Sequence, residues 1–156
     1  MITVRPIEKA DVEAVFALDQ ATPEAPHWPV SDYEALLQPQ SYAPLQRVGL
    51  VALTEDTLAG FAVARLLLDG VENVCELESI IIRTEGRRQG IGTTLLKAVI
   101  AWAVGLGGRR LALEVRAGNS AAIQLYERAG LRQEGVRRGY YSAPGEDAVL
   151  MGMNMT

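Results

Sequence analysis

The hydrophobic and polar positions of this 156-residue chain change period repeatedly, from two to about 3.6 and back. Residues 2–5 predict a short first strand. Asp11 then stands ahead of Val12, Val15, Phe16 and Leu18, spaced as the buried stripe of a helix with an acidic N-cap. Residues 23–30 hold three prolines with His27 and Trp28, which predicts a loop. Ser31-Asp32-Tyr33-Glu34 has the form of a capping box and opens a second short helix through Leu37; Pro39 and Pro44 bracket an irregular stretch after it. Three strands are predicted next, at 47–53, 58–68 and 71–82. The turns between them, residues 54–57 and Asp69-Gly70, suit antiparallel hairpins. Residues 90–104 return to helical spacing, with Ile91, Leu95, Val99, Trp102 and Leu106 on one side and Gly105, Gly107 and Gly108 as the stop. A strand at 111–116 comes next, then a helix capped by Asn119 or Ser120 that ends near Gly130. Strands at 131–136 and 148–154 finish the chain. The alternation predicts one α/β domain over residues 1–156, with a mixed, mainly antiparallel sheet of about seven strands flanked by about four helices.

Composition narrows the chemistry more than the fold. A length of 156 residues with 49% hydrophobic and 22% charged residues is enough for one buried core. The net charge of −4 argues against a nucleic-acid surface and is compatible with a cationic acceptor such as an amine or basic peptide. The longest uncharged run of the second half, residues 98–108, is too short to span a bilayer, and the N-terminus lacks the pattern of a signal peptide. A single cysteine, Cys75, excludes an intrachain disulfide and fits a reducing cytoplasm. The one histidine, His27, and Cys75 are far apart, so neither a zinc site nor a serine-hydrolase triad is expected and no metal is predicted. Both residues read as structural, His27 in a loop and Cys75 in the core.

The most informative segment is Gly86-Arg-Arg-Gln-Gly-Ile-Gly92, between a strand-like run ending at Ile82 and a helix beginning at Ile91. Strand, glycine loop with arginines, helix is a phosphate cradle: glycines let the backbone approach, and the first-turn N–H groups and helix dipole favour an anion. A nucleotide-hydrolysing P-loop needs a Gly-Lys pair that does not occur here. A dinucleotide fingerprint is weakened by Leu95 where a third small residue belongs and by seven residues between Ile82 and Gly90, although Glu114 lies at about the right distance for a ribose-binding acid. The third pattern, Arg/Gln-x-x-Gly-x-Gly/Ala, is met by Arg87-Arg88-Gln89-Gly90-Ile91-Gly92, and it resembles the pyrophosphate loop of the GNAT-type acetyl-CoA-dependent acetyltransferases.

Downstream, Glu114 interrupts an apolar strand, sharing a face with Ala112 and Arg116. It reads either as an ion pair on that strand or as a general base at a ligand cleft. Tyr126 reads either as core or as a phenol able to protonate a leaving thiolate, the two groups having ordinary pKa values of about 10 and 8.5. The stretch from Leu113 through Asn119 and Tyr126 to Gly130 resembles the ribosomal-protein alanine N-acetyltransferases, as do Arg137-Arg-Gly-Tyr-Tyr141 and Glu146-Asp147-Ala148. The resemblance covers roughly residues 74–155 and implies the GNAT acyltransferase fold with acetyl-CoA as co-substrate. It implies Glu114 as base, Tyr126 as acid and Asn119 as a cofactor contact. It further implies that Ile80, Ile81 and Ile82 bond the pantetheine arm through their backbone, and that the loop from Arg87 to Thr93 (Arg87, Arg88, Gln89, Gly90, Ile91, Gly92, Thr93) holds the pyrophosphate. Trp28, Tyr140 and Tyr141 are candidate walls of the acceptor site; packing is the other reading of the tyrosines. The sequence departs from the family at Ile81, where Ala is usual, and at Leu131, where Phe is common. The expected acceptor is the α-amine of a protein N-terminus, a ribosomal protein among the candidates. A small-molecule amine, or a silent acetyl-CoA-binding module, stands beside it.

Overall fold

A computed structural model describes residues 1–38, 44–87, 89–142 and 145–155. Its strands are β1 (Ile2–Pro6), β2 (Leu45–Thr54), β3 (Thr57–Leu67), β4 (Val74–Ile82), β5 (Arg110–Arg116), β6 (Arg132–Ser142) and β7 (Gly145–Asn154), with helices α1 (Val12–Ala21), α2 (Val30–Ala35), α3 (Ile91–Gly105) and α4 (Ser120–Ala129). The sheet runs in the order β1-β2-β3-β4-β5-β7-β6. Every neighbouring pair is antiparallel except β4 and β5. No helix among the described residues is long and apolar enough to cross a membrane.

The alternation of side chains along the strands puts one apolar layer on each face. On one face Leu95, Leu96 and Val99 of α3 pack with Leu111 and Leu113 of β5, Tyr126 of α4 and Met151 of β7. On the other, Val15 and Leu18 of α1 and Tyr33 of α2 pack with Phe61 and Val63 of β3 and Ile81 of β4. Each such aliphatic or aromatic side chain contributes roughly 1.5–3 kcal/mol when fully buried.

The feature that makes a site is where pairing stops. The parallel register of β4 and β5 covers only Val74↔Arg110, Cys75↔Leu111 and Glu76↔Ala112. Beyond Glu76 the two strands are unpaired with each other. On its other side β4 stays paired with β3 through Ile82, and the register shifts between Val63 and Ala64, opposite Ser79 and Leu77. Glu78 is the extra residue of that bulge, a device that bends a strand and strengthens its twist.

Several predicted local signals resolve differently in three dimensions. α2 begins at Val30 with Pro29 as its N-cap and no side-chain cap bond, so the Ser31–Glu34 capping box does not form. Asp11 does not cap α1: its carboxylate binds Arg5 at 2.6 and 3.0 Å and accepts the Glu8 N–H at 2.7 Å, closing a capping box around the 3-10 turn Lys9–Asp11. β4 starts at Val74 rather than at Val71, because the Asp69 carboxylate collects the N–H groups of Val71, Glu72 and Asn73 into a turn. Leu106 falls just past α3 and is 43% exposed. β6 continues to Ser142 because its hairpin with β7 re-forms at Tyr141↔Glu146, which places Tyr140 and Tyr141 on a strand. Most of the stretch between Pro39 and Pro44 lies outside the described residues.

Candidate active site

The glycine loop leads into the N-terminus of α3, the local structure expected of it. Gly90 is the N-cap of α3 at φ 82°, a left-handed conformation that glycine adopts without steric cost. Its carbonyl accepts from the Thr94 N–H at 3.0 Å and the Thr94 hydroxyl at 2.8 Å. The N–H groups of Ile91, Gly92 and Thr93 precede that first helical bond, and no side chain caps them. They point out of the helix end, where the dipole favours negative charge.

A cavity of about 620 Å³ opens against this helix end. Ile80, Ile81 and Ile82 form its β4 wall, where β5 has diverged and backbone polar groups are left for a ligand. Arg87, Gly90, Ile91, Gly92 and Thr93 form the floor, and Asn119 stands at the start of α4. Asn119 has two tasks there: its side-chain oxygen accepts the Ala122 N–H at 3.2 Å, which caps α4, and its amide group remains beside the cavity. A long phosphorylated thioester fits these surroundings, because apolar strand, unpaired backbone groups, free helix N–H groups and an arginine follow one another along one wall.

Two loop residues stand apart from that wall. Gln89 is off the cavity, its side-chain amide donating to the Glu85 carbonyl at 3.1 Å. Arg88 lies outside the described residues. The structure adds lining residues that the sequence reading missed: Thr22 and Glu24 from the loop after α1, Gly86 before the glycine loop's arginines, and Ala121, Ala122, Gln124, Leu125 and Arg128 from α4. Ala121, Gln124, Leu125 and Arg128 stand at i, i+3, i+4 and i+7, so helical periodicity counted from Ala121 could have found these four.

Neither Glu114 nor Tyr126 is among the residues that line the cavity. Glu114 lies two residues past Ala112, the last β5 residue paired with β4, on the sheet face opposite α3. Its Oε1 is 3.3 Å from Nη2 of Arg137 on β6. Tyr126 is buried, and burial, helped by nearby Tyr141, holds its phenol well above the ordinary value. Among the described residues nothing hydrogen-bonds the Tyr126 hydroxyl. Tyr141 is itself pushed up by burial and then by the charge of Glu114. One electrostatic neighbourhood therefore joins Glu114, Tyr141 and Tyr126. The Arg116 guanidinium lies 4.1 Å from the centre of the Tyr141 ring, and Tyr140 meets that ring edge-on at 5.1 Å while remaining 52% exposed.

Trp28 is half-buried and does not reach the cavity. Its backbone N–H donates to Asp19 at 3.1 Å, its ring lies 5.5 Å from Tyr33, and the Arg47 guanidinium stands 5.4 Å over it. His27 lies in the stretch between α1 and α2 and Cys75 in the core, the places expected of them. The His27 Nε2 is 2.8 Å from the Thr22 carbonyl, and the buried Cys75 thiol is pushed up to about 12 by desolvation. Among the described residues no cluster of His, Cys, Asp and Glu could hold a metal.

Comparison with known proteins agrees with this geometry. Residues 12–131 match the acetyltransferase (GNAT) family. The chain is 33% identical to the [ribosomal protein bS18]-alanine N-acetyltransferase of Escherichia coli K12 over 156 residues, covering 98% of this chain and 97% of that one. It is 35% identical to an N-alpha-acetyltransferase of Saccharolobus solfataricus over 111 residues, 65% of each chain. The crystal structure of the ribosomal-protein-S18-alanine N-acetyltransferase from Escherichia coli superposes with a TM-score of 0.82 at 29% identity, covering 100% of this chain and 95% of that chain. The phosphate cradle, the fork between β4 and β5 and these likenesses converge: the chain belongs to the acetyltransferase (GNAT) family, with acetyl-CoA as its acetyl donor.

Proposed function

We propose that the protein acetylates the N-terminal α-amine of a protein, a ribosomal protein among the candidates, and that residues 1–156 act as a single acetyltransferase domain in the cytoplasm, where such substrates are made. The observation that carries this reading is the 33% identity that runs the whole length of both chains to a ribosomal-protein alanine N-acetyltransferase, acceptor half included.

The chain's residues support a direct transfer. Gly90 to Thr93 and Arg87 hold the pyrophosphate, and Ile80 to Ile82 with Asn119 hold the pantetheine arm. Glu114, directly or through a water, takes a proton from the acceptor ammonium. The freed amine attacks the thioester carbonyl, whose oxygen is stabilised by a backbone N–H of 80–82. As the carbon–sulfur bond breaks, the Tyr126 hydroxyl protonates the departing thiolate. Burial keeps the phenol protonated but widens the gap to a thiol's ordinary value of about 8.5, so this assignment rests on the resemblance and not on the shift. An α-amine, with an ordinary pKa of about 8, asks less of a single carboxylate than a lysine at about 10.4. Tyr140, Tyr141 and Trp28 then border the acceptor.

The test is an acceptor screen read by release of CoA thiol, with peptides of varied N-terminus set beside small amines. Peptides should exceed every small amine in kcat/KM; the reverse order would replace the protein acceptor with a small molecule. Binding of acetyl-CoA with no turnover on any amine would make the protein a binding module.

A further inference from the structure

Resting on the acetyl-CoA reading of the cavity, we infer that Arg128 is a contact for the 3′-phosphate at the nucleotide end of the donor. The donor carries a diphosphate and a 3′-phosphate, while the chain has a net charge of −4, so cations must be concentrated locally where the donor binds. The diphosphate is provided for by the N–H groups of the α3 end and by Arg87 of the glycine loop. The 3′-phosphate is not.

Among the described residues the charged groups lining the cavity are Glu24, Arg87 and Arg128. Arg128 comes from a different element than the glycine loop. It is exposed, and among the described residues it has no hydrogen-bond or ion-pair partner. It belongs to the α4 face formed with Ala121, Gln124 and Leu125. Position along that face fixes what it can reach. A Cβ on Gly92 would lie 3.0 Å from a Leu125 methyl, so the middle of α4 is packed on the phosphate-binding helix end. Arg128 sits three residues further, about 4.5 Å along the axis at 1.5 Å per residue, on the same side. A guanidinium extending from there covers the region next to the diphosphate, where the ribose carries its 3′ substituent.

Arg128 also suits the C-terminal end of α4 electrostatically, where the dipole favours a cation. A role limited to that would treat all donors alike, so donor discrimination separates the two. The experiment compares kcat/KM for acetyl-CoA and acetyl-3′-dephospho-CoA in wild type and Arg128→Gln. Wild type should prefer acetyl-CoA by about tenfold, the worth of one charge-assisted contact, and Arg128→Gln should bring the ratio close to one. Arg128→Lys should restore part of the ratio. An unchanged ratio in Arg128→Gln, or equal use of both donors by wild type, overturns the assignment. Calorimetric binding of adenosine 3′,5′-bisphosphate against 5′-AMP to the wild-type protein reads the same contact without turnover or a variant. Tighter binding of the bisphosphate that is lost in Arg128→Gln is expected, and equal binding overturns the inference. A wild type that binds the bisphosphate yet transfers acetyl to no amine would sink the acetyltransfer reading alone.

Discussion

Glu114 lies 3.3 Å from the Arg137 guanidinium, so an incoming ammonium must compete with a cation already in place. Glu114→Gln removes the proposed proton acceptor while keeping shape and hydrogen-bonding capacity. We expect kcat to fall about 10²–10⁴-fold, with the KM for acetyl-CoA nearly unchanged because Glu114 is off the cavity wall. The deficit should shrink as pH is raised from 7 to 9, since an acceptor α-amine with a pKa of about 8 then loses its proton unaided. A deficit that is constant with pH would assign Glu114 to structure. Tyr126 yields a second prediction, on stability. Its phenol is raised in the folded state by burial and by Tyr141. A raised pKa means stability that is fully present below the unfolded phenol's value of about 10 and lost as pH climbs above it. Tyr126→Phe cannot ionise. Its unfolding free energy from urea titration should fall less steeply between pH 9 and 11, the difference reaching about 1 kcal/mol at pH 11. Parallel curves for variant and wild type would show that Tyr126 is not buried as a neutral phenol.

At the scale of elements, what could be read in the sequence was what is local. α3 and α4 follow from 3.6-residue spacing, with Gly90 and Gly130 both left-handed at their ends, and the cradle follows from glycines beside a helix start. What could not be read depends on partners distant in the chain. The extent of β6 is set by the resumed pairing of Tyr141 with Glu146, and the start of β4 by the carboxylate of Asp69. The cavity-lining face of α4 was legible in its period, whereas Thr22 and Glu24 reach the cavity only because α1 packs against β3 and β4. Gly60 shows the same limit. On sequence it is one small residue in a buried strand, yet it pairs with Ile82, and a Cβ there would lie 2.6 Å from the Ile81 carbonyl oxygen. Gly60→Ala must therefore displace the end of β4 that walls the cavity. We expect a loss of about 1–3 kcal/mol in unfolding free energy and a several-fold higher KM for acetyl-CoA. A stable variant with a wild-type donor KM would show that β4 can move without disturbing the site.

Across the whole molecule the sheet separates two apolar layers, and the fork between β4 and β5 joins them. On the proposed reading the donor is held mainly from the layer of α3 and α4, and the acceptor side depends on the smaller layer of α1 and α2, whose connecting loop is held by one buried carboxylate. Asp19 is fully buried and accepts from the Tyr33 hydroxyl and from the Trp28 N–H. Removing it leaves two donors without a partner in a layer that water reaches poorly. Asp19→Ala should cost about 3 kcal/mol and loosen the loop that carries Trp28, Thr22 and Glu24, raising the KM for a peptide acceptor and, because Thr22 and Glu24 line the cavity, that for acetyl-CoA as well. Tyr33→Phe alone removes one donor and should cost about 1 kcal/mol. The phenylalanine leaves no orphaned hydroxyl, so the double variant should be more stable than the sum of the single losses predicts, by about 1 kcal/mol. Equilibrium urea unfolding of the four proteins closes this cycle. Strict additivity would mean that Asp19 and Tyr33 act independently and that the loop is held by the Trp28 ring and the prolines alone.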